Sequence, residues 1–190
     1  LKNIKQWLAD KLPKHTHTFP LPIADRVELK HNFFALNDQD FLNVHIATED
    51  DIEAIISIEK LCYSGQTPWN RSALLHEIRY NKNAFYIVVT DDQTPVAFLG
   101  TWFVSEEAHI TNIATIPAYE SKGIATFLIN ELKRIALAEE IKTISLEVRV
   151  SNQRAQSLYR KMEFENGRIK KGYYINDHED ALEMAMMLGK

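Results

Sequence analysis

Thiols are almost missing from this chain. Cys62 is the only cysteine in 190 residues, so no disulfide can form within it, and the pattern fits a reducing, cytoplasmic setting better than secretion. Long apolar runs are missing too. No stretch approaches the ~20 residues needed to span a bilayer, and the N-terminal stretch has no contiguous apolar signal core, so a soluble, untargeted protein is expected, without membrane contact. Positive charge is not in excess either. The 22 Lys and Arg face 26 Asp and Glu, a formal net charge of -4, which argues against direct nucleic-acid binding and suits a cationic partner. His15 and His17 have no nearby Cys and no second His pair, so no metal site is expected. What is present is an ordinary globular composition, 45% hydrophobic and 25% charged, enough to bury one sizeable core.

Residues 1–43 differ from the rest. They carry Pro13, Pro20 and Pro22 and no long periodic pattern, and read as an N-terminal extension to a domain spanning 44–190. Within them Leu1, Ile4, Trp7, Leu8 and Leu12 recur at helical spacing among lysines, which predicts a short amphipathic helix ended by Pro13. From Val44 the two periods alternate. A strand over 44–47 leads to the cap and acidic first turn Thr48, Glu49, Asp50, Asp51 of a helix running through Leu61, with Ile52, Ile55, Ile56 and Leu61 as its apolar face. A second helix over 70–80 and a strand over 85–89 follow. Strands over 95–104 and 108–116 then complete an antiparallel meander of three. Helices over 123–140 and 152–162 bracket a strand over 143–150, and strands near 168–175 and 181–187 close the chain. The fold class expected is mixed α/β.

Two segments carry chemistry. The first runs from Ile113, Ala114 and Thr115 through Ser121, Lys122, Gly123, Ile124, Ala125 and Thr126, a strand turning tightly into a helix start. Such a turn leaves backbone N–H groups unpaired, small residues allow close approach, and the helix dipole and Lys122 favour an anion such as a pyrophosphate. An ordinary strand-to-helix connection containing a glycine would look the same. The second segment holds Glu147, Asn152 and Tyr159. Alternation places Ile144, Leu146, Val148 and Val150 on one strand face and Ser145, Glu147 and Arg149 on the other. Glu147 is then either a base or a solvated partner of Arg149. Tyr159 shares a helical stripe with Ala155, Leu158 and Met162, so it is either a core residue or one with its hydroxyl turned to a site.

Taken together, the turn at Lys122-Gly123-Ile124-Ala125, the later Glu-Val-Arg-x-Ser-Asn and the Ala-x-x-Leu-Tyr-x-x-x-x-Phe after it resemble the GNAT acetyltransferases. The run Asn112-Ile113-Ala114, the Leu-Glu-Val-Arg strand, Tyr173-Tyr174, Glu179-Asp180-Ala181 and Pro68-Trp69 resemble, within them, the ribosomal-protein-alanine N-acetyltransferase (RimI) type. The likeness covers roughly residues 44–188. It implies a mostly antiparallel sheet, splayed at the cofactor site and flanked by helices, with acetyl-CoA as donor and CoA as product. It implies that the main chain of Ile113, Ala114 and Thr115 pairs with the pantetheine arm, that residues 121–126 cradle the pyrophosphate, and that Asn152 holds the cofactor from the following helix. One departure stands out: Glu120 occupies the place where the family usually has Gln or Arg, and an acid beside phosphates is unfavourable.

By the same resemblance Glu147 is the base and Tyr159 the acid. An N-terminal amine with pKa ~8 is about one-tenth neutral at pH 7, whereas a lysine at ~10.4 is hardly so, so a weak base suffices for an N-terminal acceptor. Tyr159, with a reference pKa of ~10, stays protonated and can donate to the departing thiolate. Tyr173, Tyr174, His178 and Glu179 are the candidates for binding a peptide acceptor, and the reading of them as ordinary strand and turn residues stands equally beside it. The expected partner is a protein or peptide N-terminus, with a small-subunit ribosomal protein as first candidate and the enzyme acting as a monomer or weak dimer. A lysine or small-amine acetyltransferase is the rival, and a non-catalytic acyl-CoA-binding module is the alternative of a different class.

Overall fold

The computed structural model describes residues 21–63, 65, 67 and 69–189. The predicted amphipathic helix and the His15 and His17 pair lie outside them, as does Pro68. The described elements are α1 (Ile23–Arg26), β1 (Phe33–Ala35), β2 (Phe41–Ile46), α2 (Ile52–Cys62), α3 (Arg71–Tyr80), β3 (Ala84–Asp91), β4 (Thr94–Val104) and β5 (Glu107–Thr115), followed by α4 (Ile124–Ala138), β6 (Thr143–Arg149), α5 (Gln153–Lys161), β7 (Glu165–Tyr174) and β8 (Glu179–Met187). They form one eight-stranded sheet in the order β1-β2-β3-β4-β5-β6-β8-β7.

Helix starts follow local chemistry. The Thr48 hydroxyl and the Asp51 carboxylate form a reciprocal capping box ahead of α2. Asn70 and Asn152 accept the N–H groups of Ala73 and Ala155 and so cap α3 and α5. Buried residues run without interruption from Val96 to Val104 in β4, which requires cover on both faces of the sheet. Helices α2 and α4 supply it, each packing on β4 and β5. The one departure on α2 is Leu61. It is 58% exposed, while Ile52, Ile55 and Ile58 are buried. At ~100° per residue Leu61 points about 140° away from Ile56, and the inner stripe continues instead through Glu59.

All strand pairs are antiparallel except β5 with β6. That parallel pair covers only Glu107↔Thr143 to Ile110↔Leu146, although β6 continues to Arg149. The two strands therefore part company after Ile110. The cause is local: Thr111 is an extra residue where the register shifts opposite Gly100 and Thr101, and such a bulge bends its strand. Gly100 is needed opposite it, because a Cβ there would lie 2.5 Å from the buried Tyr86 ring.

The boundary expected between residues 43 and 44 falls inside β2. Residues 23–43 belong to the same packed unit: Ile23 is 1% exposed, β1 pairs with β2, Lys30 N–H donates to Glu131 of α4 at 2.7 Å, and Arg26 pairs with Glu139 at 2.5 Å. Strands β1 and β7 are the two sheet edges. β7 is largely exposed and β1 is only three residues long, so neither shows the sustained alternation that marks a half-buried strand. For that reason β1 was not expected and β7 begins three residues before the expected start.

Candidate active site

Where β5 and β6 diverge, a cavity of about 570 Å³ opens. Ile113, Ala114 and Thr115 line one wall. Their strand is held by β4 on its other side, so its main-chain edge toward β6 is free to pair with an extended ligand. Ser121, Gly123, Ile124, Ala125 and Thr126 form the floor, and Asn152, Arg154 and Tyr159 close the far side. Of the ten residues expected to hold a cofactor, Lys122 alone stands outside this lining. Its ammonium lies 4.5 Å from the centre of the Tyr119 ring.

The turn between β5 and α4 has the backbone of an anion cradle. Ser121 and Gly123 have φ of 61° and 88°, a left-handed conformation that glycine adopts freely and serine rarely does. Alternation of such residues points successive N–H groups to one side. No side chain caps α4, a helix of 15 residues, so its first amides also face the cavity with the positive end of the dipole. The Tyr119 hydroxyl donates to Asp91 and ties the turn to the β3–β4 hairpin. Phe34, its ring tilted against Phe127 with centroids 5.2 Å apart, lies behind Gly123, 3.6 Å from where a Cβ would be. Glu120 does not face solvent alone. Arg154 of α5 donates one guanidinium arm to it and the other to Ser121 Oγ at 2.9 Å.

Tyr159 is both things its two readings allowed: it is 7% exposed and lines the cavity. Burial pushes its hydroxyl up to about 12, so it is a proton donor at any working pH. Glu147 is not a solvated partner of Arg149. Its side chain is 5% exposed and lies 3.1 Å from His109 Nε2. Lys170 donates to one carboxylate oxygen and Tyr173 to the other at 3.2 Å. Burial alone would raise its pKa, but hydrogen bonding and attraction from His109 and Lys170 win and hold it at about 2. The polar row extends both ways, from His109 Nδ1 to Ser145 at 2.8 Å and from Lys170 to Glu183 at 3.0 Å. Arg149 instead pairs with Asp177 and Glu179 at 2.7 and 2.6 Å and lies 3.9 Å over the Tyr174 ring.

The four residues expected to bind an acceptor divide. Tyr173 and Tyr174 stack edge to face with centroids 5.3 Å apart, both half-buried. Glu179 accepts from the Ser151 N–H at 2.8 Å and fastens the β7–β8 hairpin to the start of α5. His178 takes φ of 56° in the turn. None of the four lines the cavity.

Sequence reasoning missed a second buried carboxylate. Glu59 of α2 is fully buried and accepts from Asn112 Nδ2 at 2.8 Å and from the Trp69 N–H at 3.4 Å. Burial raises it to about 7, against those two hydrogen bonds. Tyr63 donates to Asn112 Oδ1 at 2.8 Å, so the end of α2 is tied to β5 one residue before Ile113. Cys62 is spent there on a weak bond to the Thr115 carbonyl at 3.3 Å. Its thiol is pushed up to about 11 by burial and by Glu120 and Glu59, which disqualifies it as a nucleophile. His109 had a signal in the sequence, as a polar residue alternating with Ala108 and Ile110. Lys170 and Arg154 had none.

Known proteins resemble this chain in sequence and fold. A candidate ribosomal protein bS18-alanine N-acetyltransferase of Bacillus subtilis is 36% identical over 135 residues, 71% of this chain and 88% of its own. An N-alpha-acetyltransferase of Saccharolobus solfataricus is 32% identical over 154 residues, 75% of this chain and 90% of its own. The crystal structure of the ribosomal-protein-S18-alanine N-acetyltransferase from Escherichia coli superposes with a TM-score of 0.70 at 26% identity, covering 78% of this chain and 95% of that one. The profile of the acetyltransferase (GNAT) family matches residues 52–164. With more than half of its length matched, and with the splayed strands and the amide-lined turn in place, the chain belongs to the GNAT acetyltransferase family.

Proposed function

We propose that this protein transfers an acetyl group from acetyl-CoA to the N-terminal α-amine of a protein, the first candidate being an alanine-starting small-subunit ribosomal protein made in the same cytoplasm. The observation that carries the reading is the joining, in one cavity, of a free strand edge, an uncapped helix start and a buried tyrosine hydroxyl. The residues fit the donor. The edge at Ile113–Thr115 matches an extended amide-bearing arm, and the cradle at 121–126 matches a diphosphate. Acetyl-CoA supplies the activated thioester when bound.

The chain's own residues account for the proton traffic. Tyr159 donates to the departing sulfur. Glu147, held at about 2, is ionised near neutral pH and lies far below an amine of pKa ~8, so it is a poor direct acceptor of the ammonium proton. Its role is therefore electrostatic, to attract and orient the acceptor amine, and the surplus proton that the nitrogen sheds after attack restores the Tyr159 hydroxyl. The neutral tenth of an N-terminal amine at pH 7 supplies the nucleophile. Relatives named as N-terminal and bS18-alanine acetyltransferases support this choice of acceptor. The test offers a free-N-terminus peptide and the same peptide blocked at its N-terminus but containing lysine. Acetylation of the first alone is expected, and preference for the second would reject the assignment.

A further inference from the structure

The acid at the head of the cofactor turn is answered by an arginine from another element. Glu120 precedes the left-handed Ser121 and lines the cavity with Arg154. Across 34 residues of sequence, Arg154 spans from the Glu120 carboxylate to Ser121 Oγ. The pair is 61% and 41% exposed, where an ion pair is weak because water competes for both charges. A diphosphate entering the cavity offers the guanidinium a stronger, two-armed, charge-assisted partner.

On the reading of this cavity as an acetyl-CoA site, we propose that Arg154 is held in waiting by Glu120 and passes to the cofactor's diphosphate as it binds. The released carboxylate turns to solvent. Arg154 thereby supplies from α5 a positive charge within the cavity, which the turn's own Lys122 does not line, and Glu120 sets the ease of the exchange. Two consequences separate this from an arginine that merely screens a misplaced acid. If Arg154 grips phosphate, it matters even when Glu120 is neutral. If it only screens, its value disappears with the charge that it screens.

Calorimetric titration with CoA and with 3′-dephospho-CoA, using the full chain, distinguishes these outcomes. Glu120→Gln should bind CoA about threefold or more tightly than wild type, and Arg154→Gln about tenfold more weakly. The double variant should remain about tenfold weaker than Glu120→Gln alone, equally for both ligands. Arg154→Lys, which keeps the charge but not the fork, should recover part of the loss. Equal affinity of Glu120→Gln and the double variant would overturn the proposal, and so would a loss seen with CoA but not with 3′-dephospho-CoA. A wild-type chain that binds neither ligand would instead overturn the acetyl-CoA reading itself.

Discussion

The Glu147 carboxylate lies 3.1 Å from His109 Nε2 across the parallel β5–β6 pair, with side-chain exposures of 5% and 2%. The contact falls just before the strands separate. It fixes the position of the carboxylate and sets its charge.

That charge gives a pH signature to stability. Glu147 is held at about 2 in the folded chain against ~4.3 unfolded, so its contribution is complete above the unfolded value and lost as pH falls from about 4.5 toward 2. The amount is on the order of 3 kcal/mol. Denaturant unfolding of wild type should show this fall, and Glu147→Gln should show less of it. At neutral pH the same variant should be a few kcal/mol less stable, because Lys170 and His109 lose a buried partner.

Tyr159→Phe should slow turnover by about a hundredfold or more, the usual scale of a lost general acid, while calorimetry shows CoA affinity nearly unchanged. This substitution removes the hydroxyl and keeps the ring. An unaltered kcat would remove Tyr159 from the role of acid.

The rate with an N-terminal peptide should rise with pH toward the pKa of the acceptor amine, near ~8. Glu147→Gln should depress the whole profile without moving that inflection. An inflection at acid pH that disappears in Glu147→Gln would return the carboxylate to the role of proton acceptor.

Glu59 behaves oppositely to Glu147. Its folded pKa is raised to about 7, so the folded state is favoured below the unfolded value of ~4.3 and loses that advantage as pH climbs to about 7. Glu59→Gln keeps an acceptor for Asn112 and removes the titration. It should be more stable than wild type at pH 8, by up to about 3 kcal/mol, with the difference gone near pH 4. Urea midpoints at the two pH values measure it.

Gly100→Ala should cost about 1–3 kcal/mol, the usual penalty of overpacking, because its methyl collides with Tyr86. The strain falls opposite the Thr111 bulge. Weaker CoA binding should accompany the lower thermal midpoint.

The parts of this fold that were legible in the sequence are those written over short spans. The cap at Thr48 and the strand-turn-helix at Gly123 depend on neighbours three or four residues away. The candidate cofactor cavity is of this kind, since most of its lining lies on two continuous segments. The edge strand β7 was partly hidden because exposure erases its periodicity, and β1 wholly so because three residues are too few to show one. The Glu147 network was hidden for a different reason. Lys170 is 23 residues from Glu147, and Ser145 is 36 from His109. Such partners meet only through strand order, which composition and spacing do not encode. Glu120 read as a defect for the same reason, since Arg154 reaches it from a different helix.

The placement of Phe34 behind Gly123 makes the segment before β2 a foundation for the cofactor turn. A protein shortened to start at residue 44 would divide β2 and leave the back of that turn unsupported. Such a fragment would be damaged first as a nucleotide binder, even with every residue that faces the ligand intact.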